Sequence, residues 1–194
     1  WQEADLIDGL GDLVEDGLVN EIGVSNVGPN RLLWMSERLE KRSIPIKSLQ
    51  IQFSLLSPGE NFQLRLKEIC KAKNIEMLAY SPLALGILTL PPEAKMPPTT
   101  FLRQKIFNQL NNASKSLREC MHEITLKRKV SQVEVALNWC HSHEFIPIVG
   151  LRKPSHVQEA ICSRNWNLSE KERTDLNNYS MECKTKMPQN PFTS

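Results

Sequence analysis

Short apolar runs alternate with helical patterns along this chain, and that alternation constrains its fold more than any other feature. Four runs read as strands: Glu21–Ser25, Ser48–Phe53, Glu76–Ser81 and Phe145–Gly150. Each is bounded by turn or polar residues and is rich in Ile, Val, Leu or aromatics. Three are almost continuously apolar, as strands covered on both faces of a parallel sheet must be. Ser48–Phe53 alternates instead, with Gln50 and Gln52 between apolar neighbours. Between the strands lie helices. Ala4–Glu15 spaces Leu6, Ile7, Leu10, Leu13 and Val14 by three and four, so these residues are expected to face inward. Pro29 opens the next helix, where its missing N–H leaves nothing unbonded, with Leu32, Leu33, Met35 and Leu39 inward. Phe62–Lys71 offers Leu64, Leu66 and Ile69. Ser131 with Glu134, and Ser169 with Glu172, have the capping-box spacing. They predict helices over Val135–Trp139 and Glu170–Met181. Parallel strands need crossover connections, which these helices supply. A spacing of about 25–30 residues per early unit suits a barrel or an open doubly wound sheet. Residues 1–194 are read as one partial domain. The segment 91–104, with Pro91, Pro92, Pro97 and Pro98, is read as a loop insertion, and 187–194, with Pro188 and Pro191, as an irregular tail.

Composition narrows the function. The formal net charge is +2 and the one compact basic run is Lys127-Arg128-Lys129. No nucleic-acid partner is expected. The run reads as a solvated helix end, where cations suit the helix dipole. No apolar stretch approaches the roughly 20 residues of a membrane helix, and no signal peptide is visible. The five cysteines are odd in number and form no Cys-x-x-Cys. They fit a reducing compartment better than a disulfide framework. The expected location is the cytoplasm, or an organelle stroma if a transit peptide precedes Trp1. No metal site is expected. His141 and His143 are two apart and do not share a helix face, and His122-Glu123 lacks the second histidine of a zinc-protease motif. The strongest functional signal is Gly17–Asn26, where a helix end and a strand lead into Ser25-Asn26. In a parallel barrel the C-terminal ends of strands build the active site. A hydroxyl and an amide there either hold an amide-bearing ligand or cap the next helix.

That segment, Gly17-Leu18-Val19-Asn20-Glu21-Ile22-Gly23-Val24-Ser25-Asn26, resembles the fifth strand of the aldo-keto reductase family. Four more segments match in order. Ser48–Leu56 is similar to the family's sixth strand, and Leu78–Thr89 (Leu-Ala-Tyr-Ser-Pro-Leu-Ala-Leu-Gly-Ile-Leu-Thr) to the seventh strand and its glycine loop. Val133–Trp139 resembles the helix before the last strand. Ile146–Pro154 resembles the eighth strand and its phosphate loop. The resemblance implies an α/β fold, the C-terminal half of a (β/α)8 TIM barrel of aldo-keto reductase type.

The resemblance also implies a function, reduction of an aldehyde or ketone by hydride transfer from NADPH, and a set of site residues. Ser25, Asn26 and Gln50 would hold the nicotinamide carboxamide, and Tyr80 would stack on the ring. Ser81, Leu83 and Gly86 would line the pyrophosphate. Gly150 and Arg152 would meet the adenosine 2′-phosphate, with Lys153 assisting and His156 and Glu159 at the adenine end. The sequence departs from the family at several places. His156 stands where Arg or Gln is usual, Ala160 and Leu49 replace Asn, and Phe53 replaces Tyr. The family's Asp, Tyr, Lys and His catalytic set belongs to its first four strands. Neither Tyr80 nor Tyr179 matches the catalytic tyrosine, so no catalytic residue is assigned. The chain alone is expected to be inactive and to self-associate through the edges of a half barrel. The alternative is a non-catalytic nucleotide-binding, scaffold or regulatory half barrel. The residues upstream of Trp1 would separate the two.

Overall fold

The computed structural model describes residues 2–57, 60–94 and 101–188. The described elements run α1 Gln2–Glu15, β1 Ile22–Ser25, α2 Pro29–Glu40, β2 Ile46–Gln52, α3 Glu60–Lys73 and β3 Glu76–Tyr80. A 3-10 segment follows at Ala84–Thr89, then α4 Phe101–Ala113, α5 Lys115–Arg128, α6 Gln132–Ser142, β4 Phe145–Pro147, α7 Pro154–Cys162 and α8 Glu170–Glu182. The strands form one sheet in the order β1-β2-β3-β4, the α/β arrangement expected of part of a (β/α)8 barrel. Because α4 starts at Phe101, the last four residues of the expected 91–104 loop are helical. Pro97, Pro98 and Pro191 lie outside the described residues.

Strand ends differ from the apolar runs for local reasons. β3 stops at Tyr80 because Ser81 turns to φ 53°. β4 stops at Pro147, which has no N–H for the ladder. One more bond, from the Ile148 N–H to the Ala79 carbonyl at 2.8 Å, precedes the departure toward Gly150. β2 starts two residues early, at Ile46. β1 and β2 are parallel, pairing Ile22 with Ile46 but Gly23 with Ser48, so the register slips by one and Lys47 is left over. Gly23 makes room there: a Cβ would sit 2.4 Å from the Ser48 Oγ, and the Ser48 hydroxyl would have to turn aside.

The chain divides into two compact units. Among the described residues the first comprises 2–51 and 60–78, and the second 52–57, 79–94 and 101–188. In the first unit, α1 and α2 are joined by ion pairs. Arg42 donates to the Asp8 carbonyl at 2.7 Å, to Asp12 at 2.6 Å and to Glu15 at 2.8 and 2.6 Å. Arg38 forms a two-pronged pair with Asp8 at 2.6 and 2.5 Å, and Arg31 pairs with Glu3. These hydrogen bonds hold the Asp8 and Glu15 carboxyls below their usual range. Arg42 crosses α1 at Gly11, where a Cβ would lie 2.4 Å from the guanidinium. The ion-pairing face narrows the apolar stripe of α1. Ile7 is buried, Leu10 and Val14 are half-buried, and Leu6 (61% exposed) and Leu13 face outward, against expectation. Leu64 of α3 is likewise 60% exposed, while Leu66 is buried and Ile69 half-buried. On α2, Leu32, Met35 and Leu39 are buried as expected. Leu33 is half-buried and Ser36 takes a buried place.

The second unit packs around aromatics. Phe53 stacks on Phe145 (centroids 3.8 Å apart) and on Trp139 (4.8 Å), favourable parallel arrangements for large apolar rings. Both predicted capping boxes form, Ser131 with Glu134 and Ser169 with Glu172. Glu172 does more than cap. It is buried, and it accepts from Lys127 at 3.1 Å and from Arg128 at 3.1 and 2.7 Å. The basic run is therefore not simply a solvated helix end. Its first two cations serve a buried carboxylate 44 and 45 residues away. Arg128, then the capping backbone and Lys127, hold that carboxyl down at about 2 against the penalty of burial. Cys70, Cys120, Cys140, Cys162 and Cys183 are all free thiols. Burial pushes Cys70 and Cys120 up to about 11.

Candidate functional site

The first predicted group is assembled where β1 and β2 end side by side. Ser25 is the register partner of Gln50. The Ser25 hydroxyl donates to the Gln50 carbonyl at 3.2 Å and accepts from the Asn26 side-chain amide at 3.0 Å. The Asn26 backbone N–H also donates to the Gln50 carbonyl, at 2.9 Å. Asn26 takes φ 55°, a left-handed turn that asparagine tolerates better than most residues. The group is thus tied together through the Gln50 backbone. The Gln50 side-chain amide is half-buried and has no hydrogen-bond partner among the described residues. An amide without a partner among the described residues, beside a hydroxyl with an unused lone pair, suits a planar carboxamide.

In the second unit, Tyr80 ends β3 half-buried, and its carbonyl accepts from the Phe53 N–H at 3.3 Å. The chain then turns sharply. Ser81 (φ 53°), Ala84 (47°), Leu85 (57°) and Gly86 (97°) are all left-handed. Each non-glycine residue there costs about 1 kcal/mol or more. Short bonds close the turn, from Ala84 N–H to Ser81 O at 2.9 Å and from Gly86 N–H to Leu83 O at 2.9 Å. A Cβ on Gly86 would meet nothing within 4 Å, so its glycine is demanded by torsion rather than by crowding. Farther on, Gly150 is exposed and its missing Cβ also leaves open space. Pro154 starts α7, with Lys153 as its N-cap. Arg152 and Lys153 are exposed and form no ion pair among the described residues. The Arg152 N–H points to the His156 Nδ1 at 3.4 Å, and Glu159 lies half-buried one turn further along α7. The donor set of this loop, unpaired cations beside a helix N-terminus, suits a phosphate.

Three side chains near the turn were not anticipated from sequence. Arg118 of α5 is 1% exposed. Its guanidinium donates to the Pro91 carbonyl at 2.6 Å, the Asn111 carbonyl at 2.9 Å and the Ser114 hydroxyl at 3.3 Å. Gln132 donates to the Leu90 carbonyl at 3.4 Å, and Lys115 pairs with Glu93 at 2.8 Å. The available signal was Arg118 sharing a helical face with Met121 and Thr125, both buried. A separate cavity of about 370 Å³ in this unit is lined by Asn138, His141, Phe145, Arg164 and Trp166. It opens at the start of β4, away from the strand's C-terminal end. Burial, then Arg164, lowers the His141 pKa. The Asn138 amide there is spent on the Ser163 and Trp166 carbonyls and the Leu168 N–H.

Known proteins resemble this chain in sequence and in fold. The chain is 38% identical over 191 residues to a chloroplastic pyridoxal reductase of Arabidopsis thaliana, covering 98% of this chain and 52% of that protein. It is 25% identical over 169 residues to the aldo-keto reductase AMT2 of Alternaria alternata, covering 86% and 46%. The chain thus spans about half the length of the curated relatives it matches. Among solved structures, the glycerol dehydrogenase AKR11B4 of Gluconobacter oxydans superposes with a TM-score of 0.73 at 21% identity, covering 94% of this chain and 55% of that one. An aldo-keto reductase of Bombyx mori in complex with NADP superposes at 0.62 and 19% identity, covering 88% and 48%. The family model described as aldo/keto reductase family matches residues 2–180, and the chain belongs to the aldo-keto reductase family.

Proposed function

We propose that this chain forms the cofactor-holding part of an NADPH-dependent reductase that converts an aldehyde or ketone to an alcohol. The observation that carries the reading is the assembly of Ser25, Asn26 and Gln50 at adjacent strand ends, with the Gln50 amide left without a partner among the described residues. The bound cofactor supplies the hydride; the protein binds and orients it. Gln50 and Ser25 hold the carboxamide and Tyr80 covers the nicotinamide ring. The turn at Ser81, Leu83 and Gly86 receives the pyrophosphate. Gly150 and Arg152 receive the 2′-phosphate, assisted by Lys153, with His156 and Glu159 toward the adenine. None of these residues is a proton donor for the carbonyl. The chain by itself is expected to bind cofactor without turning it over, since a general acid contributes about 10²–10⁴-fold. Pyridoxal is the first aldehyde to assay, given the 38% identical relative. The same reading places the protein in the cytoplasm or an organelle stroma; among the described residues no helix is long and apolar enough to cross a membrane. Self-association is part of the reading too, supported by the exposed Ile146 on the edge strand β4 and the exposed Ile148 just beyond it, and checked by sedimentation velocity.

The cofactor assignment is tested at Arg152. A charge-assisted contact contributes about 1.5–3 kcal/mol, roughly ten- to hundredfold in affinity. Arg152→Ala is expected to weaken NADPH binding by that factor and to leave NADH, which lacks the 2′-phosphate, nearly unchanged. Lys153→Ala distinguishes a shift of that role to its neighbour. Equal losses for the two cofactors, or no loss in either variant, would remove this loop from the phosphate site.

A further inference from the structure

The turn at Ser81–Gly86 holds an unfavourable backbone, with three non-glycine residues in the left-handed region. Such a conformation persists only where its surroundings over-determine it. Its upstream end is tied into the sheet by the Phe53 N–H to Tyr80 carbonyl bond. Its downstream end is an irregular segment, Leu90–Ala94, with no ladder to hold it. There Arg118, Gln132 and Lys115, from α5 and α6, converge on Pro91, Leu90 and Glu93 respectively.

Arg118 is unusual among them. It is a buried cation, yet no carboxylate among the described residues lies within ion-pair distance. Its hydrogen-bond partners are two backbone carbonyls and a hydroxyl. A buried guanidinium placed only for stability would be expected opposite a carboxylate. Here its shortest bond goes to the segment that closes the turn. The other two go to Asn111 and Ser114, at the junction of α4 and α5. The guanidinium therefore fastens the end of the turn to the helices behind it.

We propose that Arg118 is a positioning residue for the cofactor. It clamps Pro91 to the α4–α5 junction and so keeps the Ser81–Gly86 turn in its left-handed, ligand-ready form, with Gln132 and Lys115 as lesser members of the clamp. This rests on the cofactor reading above for what the turn receives, but not for the clamp itself. The test combines two readouts on the intact protein. Hydrogen exchange reports the turn directly, through the bonded amides of Ala84, Gly86, Leu88 and Leu90. Stopped-flow release reports NADPH dissociation. In Arg118→Met, loss of a charged hydrogen bond is expected to speed exchange at these amides roughly ten- to hundredfold. Exchange at the α8 amides should stay unchanged, and NADPH release should accelerate. Arg118→Lys, keeping one donor for Pro91, should recover part of both effects. Lys115→Ala, at an exposed position, should show a weaker change in the same sense and remains readable if Arg118→Met does not fold. Unchanged exchange at the turn, or acceleration everywhere alike, overturns the clamp. Faster exchange with unaltered NADPH release overturns its role in positioning the cofactor. A wild-type protein that binds no NADPH would instead remove the cofactor reading, and exchange alone would still decide the clamp.

Discussion

The two units fasten their helices with charge in opposite ways. In the first, α1 and α2 are joined by Arg31, Arg38 and Arg42 against Glu3, Asp8, Asp12 and Glu15, side chains that mostly remain in contact with water. In the second, the helices α5 and α8 share one carboxylate, Glu172, whose side chain is only 7% exposed while Lys127 and Arg128 reach it from the surface. Exposed pairs are screened by solvent and salt and are individually weak. A buried carboxylate is different. It is costly without its partners, so their removal costs more than the pair contributes when intact. Counting ion pairs would favour the first unit. Burial says that the second depends more heavily on its charges.

The largest expected effect follows directly. Arg128→Ala strips the buried Glu172 carboxylate of its two-pronged partner and should destabilise by about 3 kcal/mol in urea unfolding. The pH dependence has the same origin. The folded-state pKa of Glu172, about 2, lies below its ordinary 4.5. Its contribution is therefore present above about pH 4.5 and is lost as pH falls toward 2, on the order of 2–3 kcal/mol. An acid titration of stability in which the wild type and Glu172→Gln fall in parallel would erase the contrast between the units.

A smaller effect tests the exposed zipper. Gly9 and Gly11 both lie inside α1, but a Cβ meets nothing at Gly9 and strikes Arg42 at Gly11. Gly9→Ala should stabilise by about 1 kcal/mol, the helix-propensity gain. Gly11→Ala should forfeit that gain because Arg42 must swing away from Asp8 and Asp12. Equal gains in thermal melts would show that Arg42 does not cross α1 as described. Smallest of all should be Arg42→Ala itself. Its melting shift should be less than that of Gly9→Ala at low salt and vanish near 1 M salt, where the screening length falls to about 3 Å. Arg128→Ala and Glu172→Gln should keep their effect under the same conditions.

How much of this was readable from sequence depended on the range of each interaction. The strands, the capping boxes and the start of α2 at Pro29 rest on neighbours in the chain, and they were predicted. The Ser25, Asn26 and Gln50 group was identified through resemblance, and the structure brings those three together. The Glu172 pairing joins residues 44 and 45 apart. Sequence spacing offered only the local reading of each end, a cap and a solvated helix terminus. Leu6, Leu13 and Leu64 fit an apolar period yet face outward, because periodicity marks a stripe without saying how wide a neighbour will cover it. Arg118 was invisible for the reverse reason. A charged residue on an apolar face reads as a solvent-facing exception until its backbone acceptors are located.

The leftover Lys47 decides which side chain meets which at the end of the first two strands. Had the ladder run evenly from the Ile22–Ile46 pair, Ser25 would stand opposite Leu49. The slip advances β2 by one, so that Gln50 arrives there instead and Leu49 stays fully buried. Side chains alternate faces along a strand, so this single step sets the parity of β2 at the candidate site. Removing the slip while Lys47 stays would leave every nearby residue chemically intact and still replace an amide by a leucine at the position opposite Ser25, whereas deleting Lys47 would straighten the ladder with Gln50 still in place. The polar pair is therefore a matter of counting as much as of composition. A relative carrying the same Ser-Asn and Gln at the same spacing, but on an even ladder, would not present the same site.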